Sequence, residues 1–123
     1  MALILLVEDE EKIAATLRKA LERRGHTVRC AGDGRAALEI KKASNIDLVI
    51  ADIVMPDIDG LELIKEIRRT DKTTKILAMS GQAGWIPGGY LRAASAFGAD
   101  HLLKKPFSTS VLINAVETLL ASA

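Results

Sequence analysis

Short apolar runs that alternate with helix-like segments most strongly restrict how this 123-residue chain can fold. Most of the runs are continuously apolar, which is typical of strands in a parallel sheet covered on both faces. The second run is the only one with clear polar alternation, which suits an edge strand. Strands are predicted at Ala2–Val7, Thr27–Ala31, Ile46–Ala51, Lys75–Met79 and His101–Leu103.

The segments that follow the strands have the apolar spacing of amphipathic helices, and Gly25 ends the first of them. The second predicted helix, around Asp33–Ala43, is the least regular. The other four are marked by Ile13, Leu17 and Leu21; by Leu61, Ile64 and Ile67; by Leu91, Ala94 and Phe97; and, from about Ser108, by Leu112, Ala115, Val116 and Leu119. Strands that alternate with helices over short connections predict an α/β fold, with right-handed crossovers and helices on both sides of a parallel sheet.

The composition narrows the class of protein. With 49% hydrophobic residues, residues 1–123 are expected to form one domain around a single core. A net charge of +1 argues against a general nucleic-acid-binding protein, which usually has a marked basic excess. Cys30 is the only cysteine, so no disulfide framework is expected, and the N-terminal apolar run is too short to span a bilayer. We therefore expect a soluble, cytoplasmic protein that binds neither DNA nor membrane.

Polar residues follow the predicted strands at the point where each strand ends. Glu8 and Asp9 follow the first strand, Asp52 the third and Ser80 the fourth, and the fifth runs into Lys104-Lys105-Pro106. Ligands of open α/β sheets bind beyond these carboxyl ends. Three carboxylates on neighbouring loops suit Mg²⁺, and a hydroxyl and a lysine can contact the oxygens of a phosphoryl group. An aspartate carboxylate can itself be the nucleophile and form an aspartyl phosphate.

Four segments of the chain, in order, resemble the receiver domain of bacterial two-component response regulators. They are LLVEDE, DLVIADIVMPDIDGLEL, ILAMSG and GADHLLKKPF, and the resemblance covers essentially all of the sequence. The resemblance implies a phosphoacceptor, a metal site, a switch hydroxyl and a lysine that contacts the phosphoryl group. The phosphoacceptor would be Asp52, and the Mg²⁺ ligands would be Glu8, Asp9, Asp52 and the Val54 backbone carbonyl. The switch hydroxyl would belong to Ser80. The lysine would be Lys105, whose bond to Pro106 is typically cis in the family.

The same resemblance implies a flavodoxin-like (βα)5 three-layer sandwich with strand order 2-1-3-4-5. A histidine kinase or phosphotransfer protein would supply the phosphoryl group, and the chain would act as a phosphoacceptor with at most slow self-dephosphorylation. The output would pass to an unknown protein target through the face formed by the fourth helix, fifth strand and fifth helix. The implied oligomeric state is a monomer or a phosphorylation-dependent dimer.

Two departures from the family bear on the switch. Family members often have an inward-turning aromatic residue three positions before the lysine, whereas this chain has Leu102. The loop after Ser80 is longer than usual and carries Trp85 and Tyr90, for which both a partner-binding role and a simple packing role remain open.

Three other functions are alternatives to that of a receiver domain. A haloacid-dehalogenase-type phosphatase needs a second aspartate two positions after the nucleophile, where this chain has Val54. A dinucleotide-binding module would place a pyrophosphate beside Glu8 and Asp9, which would repel it. A receiver-like scaffold that works without phosphorylation would not require Asp52 and its companions. The few residues after Leu120 leave no room for an output domain, so both a stand-alone regulator and a piece of a larger protein stay open.

Overall fold

The computed structural model describes residues 1–53, 60–81, 94, 95 and 97–121. Within these ranges the chain forms strands that alternate with helices, as predicted. The elements are β1 (Leu3–Val7), α1 (Glu11–Arg23), β2 (Thr27–Ala31), α2 (Gly34–Ala43), β3 (Leu48–Asp52), α3 (Gly60–Thr70), β4 (Lys75–Ser80), β5 (His101–Lys104) and α4 (Thr109–Ala121). No helix in the described part of the chain is long and apolar enough to cross a membrane.

The five strands form one parallel sheet in the order β2-β1-β3-β4-β5, which confirms the predicted fold class and strand order. β1 lies inside the sheet, where Leu6 pairs with Cys30 of β2 on one side and with Ile50 of β3 on the other. β2 is an edge strand and exposes Thr27 and Arg29, as its polar alternation predicted, and it exposes Cys30 as well. The sheet brings the carboxyl ends of β1, β3, β4 and β5 to one edge.

Two apolar clusters fill the two faces of the sheet and make the fold a three-layer sandwich. Successive residues of a strand point to opposite faces, so alternate residues of β1 enter different clusters. Leu5 and Val7 pack towards α2 and α3, whereas Ile4 and Leu6 pack towards α1 and α4. The predicted apolar residues of the last helix, Leu112, Ala115, Val116 and Leu119, are all buried in the second cluster.

Local signals start and end the helices close to where the sequence placed them. Asp33 caps α2, because its carboxylate accepts a hydrogen bond from the Ala36 N–H at 2.8 Å. Ser108 caps α4 through a 3.2 Å hydrogen bond from the Val111 N–H. Gly25 follows α1 with φ of 89°, a left-handed conformation that favours glycine.

The fourth predicted helix is only partly described. Ala94, Ser95 and Phe97 have helical backbone, while Leu91 lies outside the described residues. Ala94 is buried, but Phe97 is 40% exposed and lies 5.9 Å from the Lys65 ammonium. Phe97 is therefore helical, as predicted, but its ring lies at the surface, where a cation above an aromatic ring can stabilise it.

Asp71, which precedes β4 at the amino end of the sheet, is held by several donors. Its carboxylate accepts hydrogen bonds from the N–H groups of Thr73 (2.8 Å) and Thr74 (3.1 Å) and from the Lys41 ammonium of α2 (2.9 Å). The Thr74 hydroxyl donates to it as well. This hydroxyl and Lys41 hold the pKa of the Asp71 carboxyl well below its usual range.

Asp100, which precedes β5, has a similar arrangement at the same end. One carboxylate oxygen accepts hydrogen bonds from the Arg68 guanidinium at 2.9 Å and from the Ile76 N–H at 2.8 Å. Arg68 also donates to the carbonyls of Gly98 (3.0 Å) and Asp71 (3.1 Å). Each of these two carboxylates therefore has a cation and at least one backbone N–H as partners.

Candidate functional site

The polar residues predicted at the strand ends lie together at the carboxyl edge of the sheet. Glu8 follows β1, Asp52 ends β3 and Ser80 ends β4, and all three are buried. Asp9 is exposed beside them. Lys105 follows β5, and its backbone N–H donates to the Ser80 carbonyl at 2.7 Å, which continues the pairing of β4 and β5 by one residue. The next peptide bond, Lys105-Pro106, is cis, as the family resemblance implied.

The Lys105 ammonium lies between two carboxylates. Its Nζ atom is 2.7 Å from Glu8 Oε1 and 2.9 Å from Asp52 Oδ2. The Glu8 side chain is 1% exposed, so this lysine is close to a carboxylate that solvent barely reaches. The second oxygen of Glu8 accepts a hydrogen bond from the Glu10 N–H at 3.2 Å, which fixes the orientation of the carboxylate. Lys105, the lysine that the family resemblance implied, is therefore in contact with both carboxylates.

Burial and the neighbouring charges have opposite effects on the pKa values of Glu8 and Lys105. Burial raises the pKa of Glu8, although the hydrogen bonds from Lys105 and from the Glu10 N–H oppose the rise. Burial alone would lower the pKa of Lys105, but the hydrogen bonds and charges of Glu8 and Asp52 outweigh it and raise that pKa. The lysine therefore remains charged at neutral pH, and it is the cation that the carboxylates share.

Glu8, Asp9 and Asp52 form a group that fits a divalent cation. One ligand oxygen from each of the three lies within 4.8 Å of the others. In the described ranges, no other set of three or more His, Cys, Asp or Glu side chains meets that spacing. Carboxylate oxygens are the ligands that Mg²⁺ prefers, and the exposure of Asp9 leaves a path for a cation that keeps part of its water shell. The donor set is therefore suited to Mg²⁺. Val54, the fourth predicted ligand, lies outside the described residues.

The two predicted switch residues, Ser80 and Leu102, lie in different surroundings. The Ser80 hydroxyl is buried and donates a long hydrogen bond of 3.4 Å to the Gly81 carbonyl. Leu102 of β5 is partly buried, pairs in register with Ala78 and packs on the cluster beneath α2 and α3. Trp85 and Tyr90 lie outside the described residues.

The histidines and the cysteine take no part in this site. His26 is buried, and its Nδ1 accepts a 3.2 Å hydrogen bond from the Ala2 N–H at the opposite end of the sheet. His101 is exposed at the start of β5. Cys30 is exposed on the edge strand.

Sequence reasoning missed an apolar groove beside the site. The groove has a volume of about 410 Å³ and lies between α1 and the segment that follows β5. It is lined by Lys12, Ile13, Thr16, Leu17, Lys105, Pro106, Phe107 and Thr109. Helical spacing predicts that Ile13 and Leu17 face inward, but it does not indicate that the Phe107 segment leaves space beside them.

The fold and the site together define a class of protein, and comparison with known proteins identifies the family. The profile of the response regulator receiver domain matches residues 4–117, so the chain belongs to that family. Domains of this family are phosphoacceptors in signalling, and they interact with histidine kinases.

Individual relatives resemble the chain over nearly its full length. The sensor kinase CckA of Brucella abortus (strain 2308) is 39% identical over 97% of this chain, yet the chain spans only 12% of that kinase. Among solved structures, response regulator TrrA of Thermotoga maritima, in complex with Mg²⁺ and BeF, matches with a TM-score of 0.85 and 35% identity over 97% of this chain and 99% of that one. The chemotaxis protein CheY4 of Vibrio cholerae matches with a TM-score of 0.87 and 30% identity over 97% and 98% of the two chains.

Proposed function

We propose that this chain is a phosphorylation-controlled switch that accepts a phosphoryl group on Asp52 in a Mg²⁺-dependent reaction. The observation that carries the proposal is the surrounding of the Asp52 carboxylate. It is buried, it has Lys105 Nζ at 2.9 Å, and it shares a 4.8 Å cluster with the oxygens of Glu8 and Asp9. A nucleophilic carboxylate, a cation and a set of metal ligands are what phosphoryl transfer to an aspartate requires.

In the proposed reaction, Asp52 accepts the phosphoryl group from a phosphohistidine of a histidine kinase or phosphotransfer protein. A carboxylate oxygen of Asp52 forms a bond to phosphorus as the phosphorus–nitrogen bond breaks, and the imidazole leaves with the electron pair. Glu8, Asp9 and Asp52, together with the Val54 carbonyl, would hold Mg²⁺, which would supply positive charge that offsets the carboxylates and the phosphoryl oxygens. Lys105 remains charged and neutralises a product oxygen, and Ser80 donates a hydrogen bond to another.

The apolar groove between α1 and the Phe107 segment supports docking of the phosphodonor protein. It shares Lys105 with the site, so a partner seated there would lie beside Asp52. An apolar surface bordered by Lys12 and Thr16 suits an amphipathic helix that presents both apolar and polar side chains.

Phosphorylation would then change the protein contacts of the chain. The long hydrogen bond of Ser80 is weak, so its hydroxyl can turn towards a phosphoryl group at little cost. We propose that this movement reorganises the loop after β4 and the surface formed with β5 and α4. Leu102 lies on β5, on the face of the sheet that packs against α2 and α3. The target is an unidentified protein rather than nucleic acid. The chain acts as a monomer or as a phosphorylation-dependent dimer in the cytoplasm, and its only hydrolysis is slow loss of its own phosphoryl group.

Intact mass spectrometry tests the proposal directly. Wild type and Asp52→Asn are incubated with acetyl phosphate, with Mg²⁺ or with EDTA. We expect one phosphoryl adduct on wild type with Mg²⁺ only, and none on Asp52→Asn. Asp33→Asn is the matched control, because asparagine caps a helix as well as aspartate does and Asp33 is not one of the three carboxylates of the cluster. An adduct on Asp52→Asn, or no adduct on wild type from acetyl phosphate and from a kinase alike, would contradict the proposal and favour a phosphorylation-independent scaffold.

A further inference from the structure

Gly60, the first residue of α3, packs directly against the backbone of the residue proposed to be phosphorylated. A Cβ atom added at Gly60 would lie 2.3 Å from Ile53 Cα, 2.6 Å from the Asp52 carbonyl oxygen and 3.0 Å from Ile53 Cβ. Ordinary van der Waals contact begins near 3.4 Å, so the first of these distances is too short by more than an ångström. A glycine is therefore required at this position because of space.

The atoms that fill this space cannot turn away. Two of them belong to the backbone, and the third is the Cβ of Ile53, which is 1% exposed in the core. The Gly60 N–H also donates to the Ile53 carbonyl at 3.1 Å, which joins α3 to the end of β3. A side chain at Gly60 could be accommodated only if α3 or the Asp52-Ile53 peptide moved.

A movement of that peptide would move the site. The Ile53 N–H donates to the Met79 carbonyl at 3.0 Å, and Asp52 lies opposite Met79 in the register of β3 and β4. These contacts fix the peptide plane from one side, and Gly60 contacts it from the other. The Asp52 carboxylate, 2.9 Å from Lys105 Nζ, starts from this peptide plane.

We propose that Gly60 is a positioning residue for phosphoryl transfer, because its lack of a side chain lets α3 seat on the Asp52-Ile53 peptide and hold the nucleophile in place. This inference rests on the proposed function. Misplacing a reacting group by about 1 Å can slow a reaction about 100-fold. The required readout is thus the rate per folded molecule and not stability alone.

The test compares Gly60→Ala with two control variants by the rate of Mg²⁺-dependent labelling from acetyl phosphate, with the folded fraction measured by circular dichroism. Gly32→Ala adds the same methyl group where nothing lies within 4 Å. Leu63→Ala removes a buried side chain from the same helix and lowers stability while leaving Gly60 in place. We expect Gly60→Ala to label about 10- to 100-fold more slowly per folded molecule. Gly32→Ala and Leu63→Ala should stay within about two-fold of wild type, since neither moves the nucleophile.

Labelling of folded Gly60→Ala at the wild-type rate would overturn the inference, and so would an equal loss of rate in Leu63→Ala. If Gly60→Ala does not fold, even with trimethylamine N-oxide to favour the compact state, Ile53→Ala gives the answer. This variant keeps Gly60 and loosens the same contact from the other side, so it should label more slowly than Leu63→Ala, and equal rates would overturn the inference. Failure of wild type to label is a separate outcome that contradicts the proposed function.

Discussion

The carboxylates at the two ends of the sheet differ in their cations. At the amino ends of the strands, Asp71 and Asp100 each have a cation of their own and at least one backbone N–H donor. At the carboxyl ends, Glu8 and Asp52 share the single ammonium of Lys105, with Asp9 close by.

This difference distinguishes carboxylates that stabilise the fold from the carboxylates of the proposed phosphorylation site. A carboxylate whose hydrogen bonds are all made within the protein is stabilised in its charged form. Buried carboxylates that share one cation repel each other and lose hydration, so the fold keeps them at the expense of stability. A site that binds a cation can contain such carboxylates, because the cation supplies the positive charge that offsets them. Each of the following variants tests the comparison.

Removal of the shared cation should have the largest effect. Lys105→Met leaves Glu8 buried beside Asp52, and we expect a loss of about 2–3 kcal/mol of unfolding free energy at pH 8 in EDTA, at the low end for a broken buried pair because Lys105 is 21% exposed. Mg²⁺ should restore part of the loss by replacing the missing charge. Urea denaturation with and without Mg²⁺ measures both, and Lys104→Met is the adjacent control. An effect that Mg²⁺ leaves unchanged would contradict the comparison.

Asp71→Asn should destabilise the chain at the other end of the sheet. The variant loses the charge-assisted hydrogen bonds that Lys41 and the Thr74 hydroxyl donate to one carboxylate oxygen, which together contribute about 2 kcal/mol. Mg²⁺ should not change the loss, since Asp71 is not part of the acidic cluster. Thermal and urea unfolding of Asp71→Asn and of Asp33→Asn measure the effect. A loss below that of Asp33→Asn would mean that this network is not stabilising.

The pH dependence of that loss gives a sharper test. The pKa of Asp71 is lowered in the folded protein from an ordinary value of 3.8, so its contribution is fully present above that pH. It decreases as the pH falls below 3.8, because the unfolded chain then binds a proton that the folded chain does not. The stability difference between wild type and Asp71→Asn should therefore be constant from about pH 5 to pH 8 and shrink in acid. A difference that grows in acid would show the opposite sign of the pKa shift.

The same type of substitution at the carboxyl edge should have the opposite sign. Asp9→Asn removes one of the like charges of the cluster, so we expect the protein in EDTA to gain about 0.5–1 kcal/mol of stability. The variant should also lose most of the stabilisation that Mg²⁺ gives to wild type. Differential scanning calorimetry in EDTA and in Mg²⁺ separates the two effects. Destabilisation in EDTA would show that the cluster does not strain the fold.

A surface ion pair outside both groups of carboxylates should have the smallest effect. Arg69 and Glu66 form a 3.1 Å pair on α3, and the arginine side chain is 72% exposed. We expect Arg69→Ala to change the unfolding free energy by no more than about 0.5 kcal/mol, because solvent screens such pairs. The same urea titration sets the scale for the other variants, and a larger change would indicate that exposed pairs matter more in this fold than the comparison assumes.

The sequence predicted the sheet well because its signals are periodic and local. Continuous apolar runs gave the strands to within two residues, and the polar alternation of Thr27–Ala31 gave the edge. The candidate site was predictable because parallel strands bring their carboxyl ends together, whatever the details of packing.

Contacts between distant side chains could not be predicted from these signals. The segment before β4 has the composition of a loop, and nothing in it indicates that Lys41, thirty residues earlier, would reach Asp71. The burial of Leu63 was missed because the buried stripe of α3 is wider than the residues that marked it. The contact of Lys105 with both Glu8 and Asp52, and the fit of Gly60 against Ile53, depend on distances that spacing along the chain does not contain.

The position of β1 in the middle of the sheet has a consequence for synthesis of the chain. β1 leaves the ribosome before β3, which is one of its two neighbours in the sheet, and 44 residues separate Leu3 from its hydrogen-bond partner Asp47. At about 5–20 residues per second, translation takes roughly two to nine seconds to supply that partner. Throughout this interval β1 lacks one of its two neighbouring strands, so the residues Ile4–Val7, which are fully buried in the folded chain, are incompletely covered.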